Sequence, residues 1–210
     1  MKLLIAIPTL DYIHVEFMKS LIALTTRLKD DGVDFKVEIK SGTLVYVARD
    51  LLATMAREGN YTHILWVDSD MVFTEDLVDD LLFCEKPMVS AICHTRRPPH
   101  CSVLFKTLRP IERYTFGSYP DQPFQIGGCG FGCVLMETRV VTEIWKKYTF
   151  CFLPLEELGE DLAFCERAKE CGFEIWADPS VRVGHIGHIT IWPEDEENWQ
   201  SKINGIERFL

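Results

Sequence analysis

THILWVDSDMVF, residues 62–73, is an apolar run of mostly β-favouring residues that leads into two carboxylates, Asp68 and Asp70, separated by Ser69. Side chains at i and i+2 of a strand point the same way, so both carboxylates can converge just past the strand's end. Ligands bind at that edge of an open α/β sheet. Two hard oxygen donors there suit a divalent cation that takes water and phosphate oxygens as its other ligands. We therefore predict a metal-diphosphate site at Asp68 and Asp70.

The aspartate pair also fits a helix cap or the site of a phosphohydrolase, and both roles stay open at this point. Acidic residues after a strand often only cap the next helix, although Thr74 to Asp76 already offer such a cap. Hydrolases with an aspartyl nucleophile also carry D-x-D after a strand. In those proteins the pair normally follows the first strand of the fold, whereas here two β-α units precede it.

Composition describes an ordinary globular protein. Of the 210 residues, 47% are hydrophobic and 26% are charged. The net charge of −10 argues against binding to a nucleic-acid backbone, which needs a basic face. A phosphorylated small substrate remains compatible with this charge, because a bound cation supplies positive charge locally.

The eight cysteines contain no C-x-x-C pair, which argues against a structural zinc site and favours reduced, buried thiols of a cytosolic protein. The first residues, MKLLIAIPTLDY, have a single lysine and an apolar run too short for a signal peptide. No stretch approaches the ~20 apolar residues of a membrane span. We expect a cytoplasmic protein without a transmembrane segment.

The order of apolar periods predicts the fold class. Strands at 2–7, 33–39 and 62–67 alternate with helices at 15–28 and 44–57, which is typical of a parallel sheet covered by helices. The remaining predicted elements are a helix at 74–84, a strand at 87–93, a long loop at 94–125, a glycine-rich then apolar run at 126–136, helices at 137–148 and 159–171, short strands at 173–177 and 181–183, and a closing helix at 192–210. No repeat or linker interrupts the chain, so we predict a single α/β domain over 1–210.

Four further groups are candidates for chemistry. Glu160 and Asp161 open a helix, where they serve either its dipole or as a general base. His185, with His188 as the alternate, follows a short strand and would complete a carboxylate site for Mn²⁺, unless it is purely structural.

Arginines and glycines supply the other two groups. Arg96, followed by Arg97, would reach a diphosphate or an acidic acceptor, and otherwise belongs to a solvated loop. Gly128 lies in a run that lacks the Lys-Ser/Thr of a P-loop. Such glycines let the backbone approach a sugar or acceptor, or else serve close strand packing.

The ordered set IPTLD, VARDLL, LWVDSDMVF, GGCGFGCVLM, GEDLAFCERAKECGFEIWADPSV and VGHIG resembles GT-A glycosyltransferases, close to the family 2 type. This resemblance spans nearly the whole chain. It implies a Rossmann-like, mostly parallel central sheet flanked by helices, with a small antiparallel extension. It also implies a donor-binding half at about 1–93, an acceptor-binding and catalytic half at about 94–210, and Mn²⁺ or Mg²⁺ as cofactor.

The resemblance implies roles for individual residues. Asp161 would be the catalytic base of an inverting enzyme, with Glu160 beside it. The metal ligands would be Asp70, His185 and Asp68, with His188 as the alternate. The residues expected to contact the nucleotide-sugar are Pro8, Thr9, Asp11, Arg49, Asp50, Asp68, Ser69, Asp70, Arg96 and Gly128.

We expect a hexosyltransferase that uses a UDP-sugar and a glycan, lipid-linked or protein acceptor. The segment IKSGTL lacks the acidic residue with which many family 2 members grip the base, so the nucleotide stays open. Retention of stereochemistry and homodimerisation stay open as well. The alternatives are a non-catalytic nucleotide-sugar or glycan-binding module and a nucleotidyltransferase of similar fold, although IPTLDY lacks the glycine-rich basic signature of the latter.

Overall fold

A computed structural model describes residues 1–97, 99–115, 117–187 and 190–191 of the protein. The predicted closing helix at 192–210 and the alternate ligand His188 lie outside the described residues.

The structure contains helices and strands in alternation over its first half and mostly strands in the middle. The helices are α1 Val15–Asp30, α2 Val45–Glu58, α3 Leu77–Leu82, α4 Thr138–Tyr148 and α5 Glu160–Glu170. The strands are β1 Lys2–Pro8, β2 Asp34–Lys40, β3 His63–Val67, β4 Met71–Val72, β5 Met88–Ala91, β6 Leu104–Leu108, β7 Ile111–Arg113, β8 Phe124–Ile126, β9 Gly128–Cys129, β10 Cys133–Glu137, β11 Ile175–Asp178, β12 Gly184–Ile186 and β13 Thr190–Ile191. Within the described ranges, no helix combines the length and apolarity needed to cross a membrane.

A seven-stranded sheet in the order β2-β1-β3-β10-β5-β11-β8 forms the centre of the fold. Strands β2, β1, β3, β5 and β11 run in one direction, whereas β10 and β8 run in the other. Two three-stranded antiparallel sheets, β13-β12-β4 and β7-β6-β9, lie beside it. The predicted fold class is confirmed: the architecture is α/β, with a mostly parallel central sheet flanked by helices and small antiparallel extensions.

Both faces of the central sheet are covered, which explains why β1 is apolar on both sides. Leu3, Ile5 and Ile7 point into a core shared with α1 and α3. Leu4 and Ala6 point into the opposite core, shared with α2, α4 and α5. All five are fully buried. The alternation of the strand thus divides the protein into two apolar layers around one sheet.

Strand β10 comes from the second half of the chain and lies between β3 and β5 of the first. The run that precedes β10 is consequently placed beside the end of β3, where the backbone N–H of Asp68 donates to the carbonyl of Gly132 at 3.1 Å. This insertion brings the glycine-rich segment to the edge where the two aspartates emerge.

Three local predictions differ from the structure. The segment 94–125, predicted as a loop, contains β6 and β7 and the start of β8, because strands of three to five residues are too short to show a clear period in the sequence. The helix predicted at 74–84 begins only at Leu77 after its N-cap Asp76, so Thr74 is not the cap. The strand predicted at 181–183 lies at 184–186 instead.

All eight cysteines are free thiols, as the spacing predicted, and five of them are buried. Burial raises the pKa of the Cys151 thiol to about 12, so this group stays protonated and unreactive at neutral pH.

We expect Gly127→Ala to destabilise the fold by about 1–3 kcal/mol, because a Cβ at this position would lie 2.4 Å from the carbonyl oxygen of Lys106, which is backbone and cannot move aside. Gly159→Ser is the control, since a Cβ there meets nothing within 4 Å and serine suits an N-cap. Urea unfolding followed by circular dichroism measures both. Equal midpoints for the two variants would contradict the packing constraint.

Candidate active site

Four side chains converge where β3 ends, and they come from both halves of the chain. Asp68 and Asp70 follow β3, Asp161 lies in the first turn of α5, and Arg49 comes from α2. The Arg49 guanidinium joins Asp68 to Asp161. Asp70 instead faces a second group of partners, so the two aspartates of the D-x-D sequence have separate surroundings.

Arg49 is the buried centre of the first group, with 3% of its side chain exposed. Its Nη2 lies 3.2 Å from Asp68 Oδ1 and 3.5 Å from Asp161 Oδ1. Its guanidinium also lies over the ring of Phe131, 5.2 Å from the centroid, and near that of Phe152 at 5.9 Å. A guanidinium tolerates burial when it stacks on aromatic faces and pairs with carboxylates. Arg49 therefore lies beneath the two carboxylates, and its expected contact with the nucleotide stays a prediction.

Asp161 is held at the start of α5 by the glycine-rich segment. Its Oδ2 accepts a hydrogen bond from the backbone N–H of Phe131 at 3.2 Å. Its Oδ1 faces Arg49, and 27% of the side chain is exposed. A Cβ added at Gly130 would lie 3.7 Å from Oδ2, so the glycine leaves this carboxylate accessible. Glu160 precedes it; burial and then the charge of Asp161 raise the pKa of Glu160.

Asp68 lies between its arginine partner and two further carboxylates. Burial raises its pKa to about 6; the charges of Asp161 and Asp70 act in the same direction, and Arg49 opposes them. Its side chain nevertheless keeps 30% of its surface exposed at the cleft, so solvent and ions still reach it. The edge of the sheet thus has an excess of carboxylate charge that a cation would relieve.

Asp70 and His185 form the second group, and the small sheet of β4 and β12 brings them together. His185 pairs with Met71 in this sheet, and the Ile186 N–H donates to the Asp70 carbonyl at 2.7 Å. The His185 Nε2 lies 3.2 Å from Asp70 Oδ2, and its Nδ1 lies 2.7 Å from the carbonyl of His94. That carbonyl can only accept, so Nδ1 carries the proton and Nε2 is directed to Asp70.

Charge effects in this pair follow from the same contacts. Burial works against charging either group, but the hydrogen bond and attraction between them raise the pKa of His185 and lower that of Asp70. Arg96 adds to this, since its Nη1 donates to Asp70 Oδ2 at 2.7 Å. Asp70 is therefore ionised and already surrounded by positive charge.

This pair has the chemistry of a divalent-cation site. A carboxylate and an imidazole whose second nitrogen is fixed by a backbone carbonyl are suitable ligands for Mn²⁺. Within the described part of the chain, no three His, Cys, Asp or Glu side chains gather into a metal cluster. Water and phosphate oxygens would complete such a site, as is usual for Mg²⁺ and Mn²⁺. Asp68, the third predicted ligand, forms an ion pair with Arg49, and its metal ligation stays a prediction.

The loop after β1, whose contact with the nucleoside stays a prediction, lies beside Ser69, between the two aspartates. The Ser69 hydroxyl donates to Thr9 Oγ1 at 3.0 Å, and the Thr9 hydroxyl donates to the Tyr12 carbonyl at 2.9 Å. Pro8 is buried at the end of β1, and Asp11 is exposed in the same loop. These residues border the cleft.

Two of the residues expected to contact the donor also make contacts that support the fold, and their donor contacts stay predictions. The Asp50 carboxylate accepts from the backbone N–H groups of Cys151 and Phe152, at 2.7 and 3.1 Å, so it anchors the segment after α4. Gly128 is buried against Leu108 and Cys165, which a Cβ would approach to 3.0 and 3.2 Å. This glycine therefore serves close packing of the strand.

Sequence reasoning missed a cavity of about 530 Å³ beside His185. It is lined by Thr95, Arg96, Arg97, Pro99, Cys101, Val103, Arg113 and His185. Arg113 lies in β7, in a segment that was predicted as a loop. The only signal in the sequence was the basic character of HTRRPPH. A second cavity, of about 390 Å³, lies away from these carboxylates at the other end of β3, beside Thr62 and Thr138.

No protein-family model matches the chain. The chain is 24% identical over 202 residues to the mannan polymerase complex subunit MNN9 of Candida albicans. The aligned region covers 78% of this chain and 54% of that protein. The chain thus spans about half the length of the curated relative it matches.

Among solved structures, the fold is shared with A197 from STIV, with a TM-score of 0.62 and 17% identity over 92% of this chain and 91% of that chain. A Drosophila β-1,4-galactosyltransferase 7 in complex with manganese, UDP-Gal and xylobiose is also similar. Its TM-score is 0.46 and its identity 13%, over 86% of this chain and 66% of that chain.

We expect Arg49→Met to destabilise the protein by about 2–3 kcal/mol, because it removes the cation that two carboxylates share. This loss of stability is smaller than the loss expected for breaking a fully buried ion pair, because both carboxylates keep access to water. The control is Arg27→Met, which breaks only exposed ion pairs and should cost less than about 1 kcal/mol. Urea unfolding compares the variants, and similar losses would refute the central role of Arg49.

Proposed function

We propose that the chain is a metal-dependent, inverting hexosyltransferase that moves a sugar from a nucleotide-diphosphate sugar, a UDP-sugar, to an acceptor hydroxyl. One observation supports this most: Asp68 and Asp161 share the guanidinium of Arg49 at the edge where Asp70 faces His185. A candidate base and a candidate cation site thus border one cleft.

The name of the Candida relative supports sugar transfer as the general activity. A mannan polymerase builds chains of mannose, so mannose is the hexose that this likeness favours. That relative is a subunit of a complex, and we propose the same kind of protein partner for this chain. The cytoplasmic location and homodimerisation stay predictions.

On the donor side, the residues of the cleft would hold the nucleotide and its leaving group. Asp70 and His185 would be the protein ligands of Mn²⁺ or Mg²⁺, and the cation would neutralise charge on the leaving diphosphate. Arg96 must release Asp70 when a cation binds, and its guanidinium is then available to the diphosphate. The loop of Thr9, Asp11 and Ser69 would border the nucleoside. We assign the nucleotide contacts to the half at about 1–93, while Arg96 and His185 come from the half at about 94–210.

On the acceptor side, Asp161 would take the proton of the attacking hydroxyl. The Phe131 N–H holds its Oδ2 and Arg49 faces its Oδ1, so the carboxylate is fixed for this transfer. The acceptor oxygen forms a bond to the anomeric carbon while the bond from that carbon to the diphosphate oxygen breaks on the opposite face. The configuration inverts. The half at about 94–210 supplies this base and the acceptor surface.

The donor site is tested by a thermal-shift screen with UDP, GDP, CDP and dTDP, each with and without Mn²⁺. We expect a metal-dependent shift with UDP, since ligand at a hundredfold excess over Kd stabilises by about 2.7 kcal/mol. Asp70→Asn should abolish this shift, whereas Asp79→Asn, an exposed carboxylate on α3, should keep it. If the wild type gives no shift with any nucleotide, the donor site is wrong. A shift with GDP alone corrects the nucleotide.

The base is tested by Asp161→Asn, which should keep the metal-dependent nucleotide shift and lower transfer about 10²- to 10⁴-fold, because the amide cannot accept the proton. Transfer is measured with radiolabelled UDP-hexose and GDP-mannose. Glu160→Gln is the matched control and should lose less. Full transfer by Asp161→Asn contradicts its role as base. A wild type that binds nucleotide but transfers no sugar supports the non-catalytic alternative.

A further inference from the structure

We infer that the cavity beside His185 binds a phosphate monoester carried by the sugar acceptor, with Arg97 and Arg113 as its recognition residues. We call this cavity, which Arg96, Arg97, Arg113 and His185 line together with smaller side chains, the arginine pocket. The inference rests on the proposed function, and it names the acceptor's chemical class.

The arginine pocket has room for a sugar and its substituent, with a volume of about 530 Å³. Thr95, Arg96 and Arg97 line one part of it, and Arg113 of β7 lines another. Pro99 and Val103 add apolar wall. A pocket with apolar walls and a few charged groups suits an amphipathic ligand such as a sugar, whose ring has C–H faces.

Charge is the second observation. In the described part of the chain, no carboxylate pairs with Arg97 or Arg113, although the protein has 32 acidic and 22 basic residues. Neighbouring cations on the same small sheet or its turn are neutralised: Lys106 by Glu112 at 2.8 Å and Arg109 by Glu166 at 2.7 Å. Among the described residues of this acidic protein, two arginines without a carboxylate partner therefore line one pocket.

A phosphate monoester matches this arrangement better than a carboxylate does. It carries a charge of about −1.5 to −2 at neutral pH and three acceptor oxygens, enough for more than one guanidinium. Planar guanidinium groups bind such oxygens with pairs of hydrogen bonds. A carboxylate can accept from two guanidinium groups, but its single negative charge would neutralise only one of the two arginines. Arg113 is also held in place, since its guanidinium lies 5.0 Å from the ring centroid of Phe105.

The position of the pocket indicates the acceptor rather than the donor. Val103 lines the pocket, and Gly130 lies close both to Val103 and to the proposed base: a Cβ on Gly130 would lie 3.2 Å from Val103 and 3.7 Å from Asp161 Oδ2. His185 lines the pocket as well, with its Nε2 directed to Asp70. A ligand in the pocket therefore lies next to both the base and the candidate cation site, where an attacking hydroxyl belongs.

The test is isothermal titration of the full chain with mannose 6-phosphate and with mannose, without nucleotide or metal. We expect mannose 6-phosphate to bind more tightly than mannose. The double variant Arg97→Gln/Arg113→Gln should weaken its binding about ten- to hundredfold, as the loss of charged hydrogen bonds implies. Lys106→Gln is the matched control, since it removes a nearby charge that does not line the pocket. Equal binding to wild type and double variant would overturn the inference.

A second arm distinguishes a lipid headgroup from a free sugar phosphate as the source of the monoester. Co-sedimentation uses vesicles of phosphatidylcholine with phosphatidic acid and vesicles of phosphatidylcholine alone. Binding to the first only, lost in the double variant, assigns the monoester to a lipid-linked acceptor. Titration with mannose 6-phosphate, lost in the same variant, assigns it to a soluble one. Binding of neither probe by the wild type refutes the site.

The nucleotide screen on the double variant separates this inference from the proposed function. An unchanged UDP and Mn²⁺ shift with lost monoester binding supports a separate acceptor pocket. Loss of both shows that the pocket holds the donor diphosphate and overturns the inference. If the wild type binds no nucleotide but binds the monoester through Arg97 and Arg113, the phosphate site stands and the donor proposal fails.

Discussion

The structure depends on one buried guanidinium. Arg49 lies on the rings of Phe131 and Phe152 and has two carboxylate partners, Asp68 and Asp161. Removing a cation from water costs several kcal/mol unless partners and hydrogen bonds compensate it. The end of β3 and the start of α5 must therefore come together for the core to close. The same constraint assembles the cleft, so stability and the candidate chemistry share one interaction.

The glycine-rich segment makes this convergence sterically feasible. The backbone of Phe131 serves both charges, because its N–H donates to Asp161 and its carbonyl accepts from Arg49 Nη1 at 3.4 Å. Gly130 and Gly132 flank that residue, and a Cβ on Gly132 would lie 3.4 Å from Met71 and Cys93. The absence of side chains at both glycines thus leaves the Phe131 backbone closely packed beside Asp161 and Met71.

The two aspartates of the D-x-D sequence are chemically different in the folded protein. Asp68 forms an ion pair with Arg49, which also contacts Asp161. Its pKa is raised chiefly by burial, and the charges of Asp161 and Asp70 act in the same direction. Asp70 contacts His185 and Arg96, which lower its pKa and so keep it ionised. Side-chain periodicity brings both aspartates to the same edge of the sheet. Their partners come from different elements, because α2 supplies Arg49 to Asp68 and β12 supplies His185 to Asp70. One edge thus has a candidate cation site and a candidate base side by side.

The sequence by itself determined the alternation of strands and helices around Asp68 and the apolar layers on both sides of the sheet. It also determined that Asp161 and His185 lie next to regular elements. These features depend on local periods of 3.6 and 2 residues, which a sequence displays directly. Tertiary structure alone decided that β10 enters the sheet between β3 and β5, that Arg49 lies beneath the carboxylates, and that Asp50 anchors another segment. It also decided that Arg113 joins Arg97 in one pocket. Each of these depends on contacts between residues far apart in the chain, and a local pattern carries no information about which distant groups will meet.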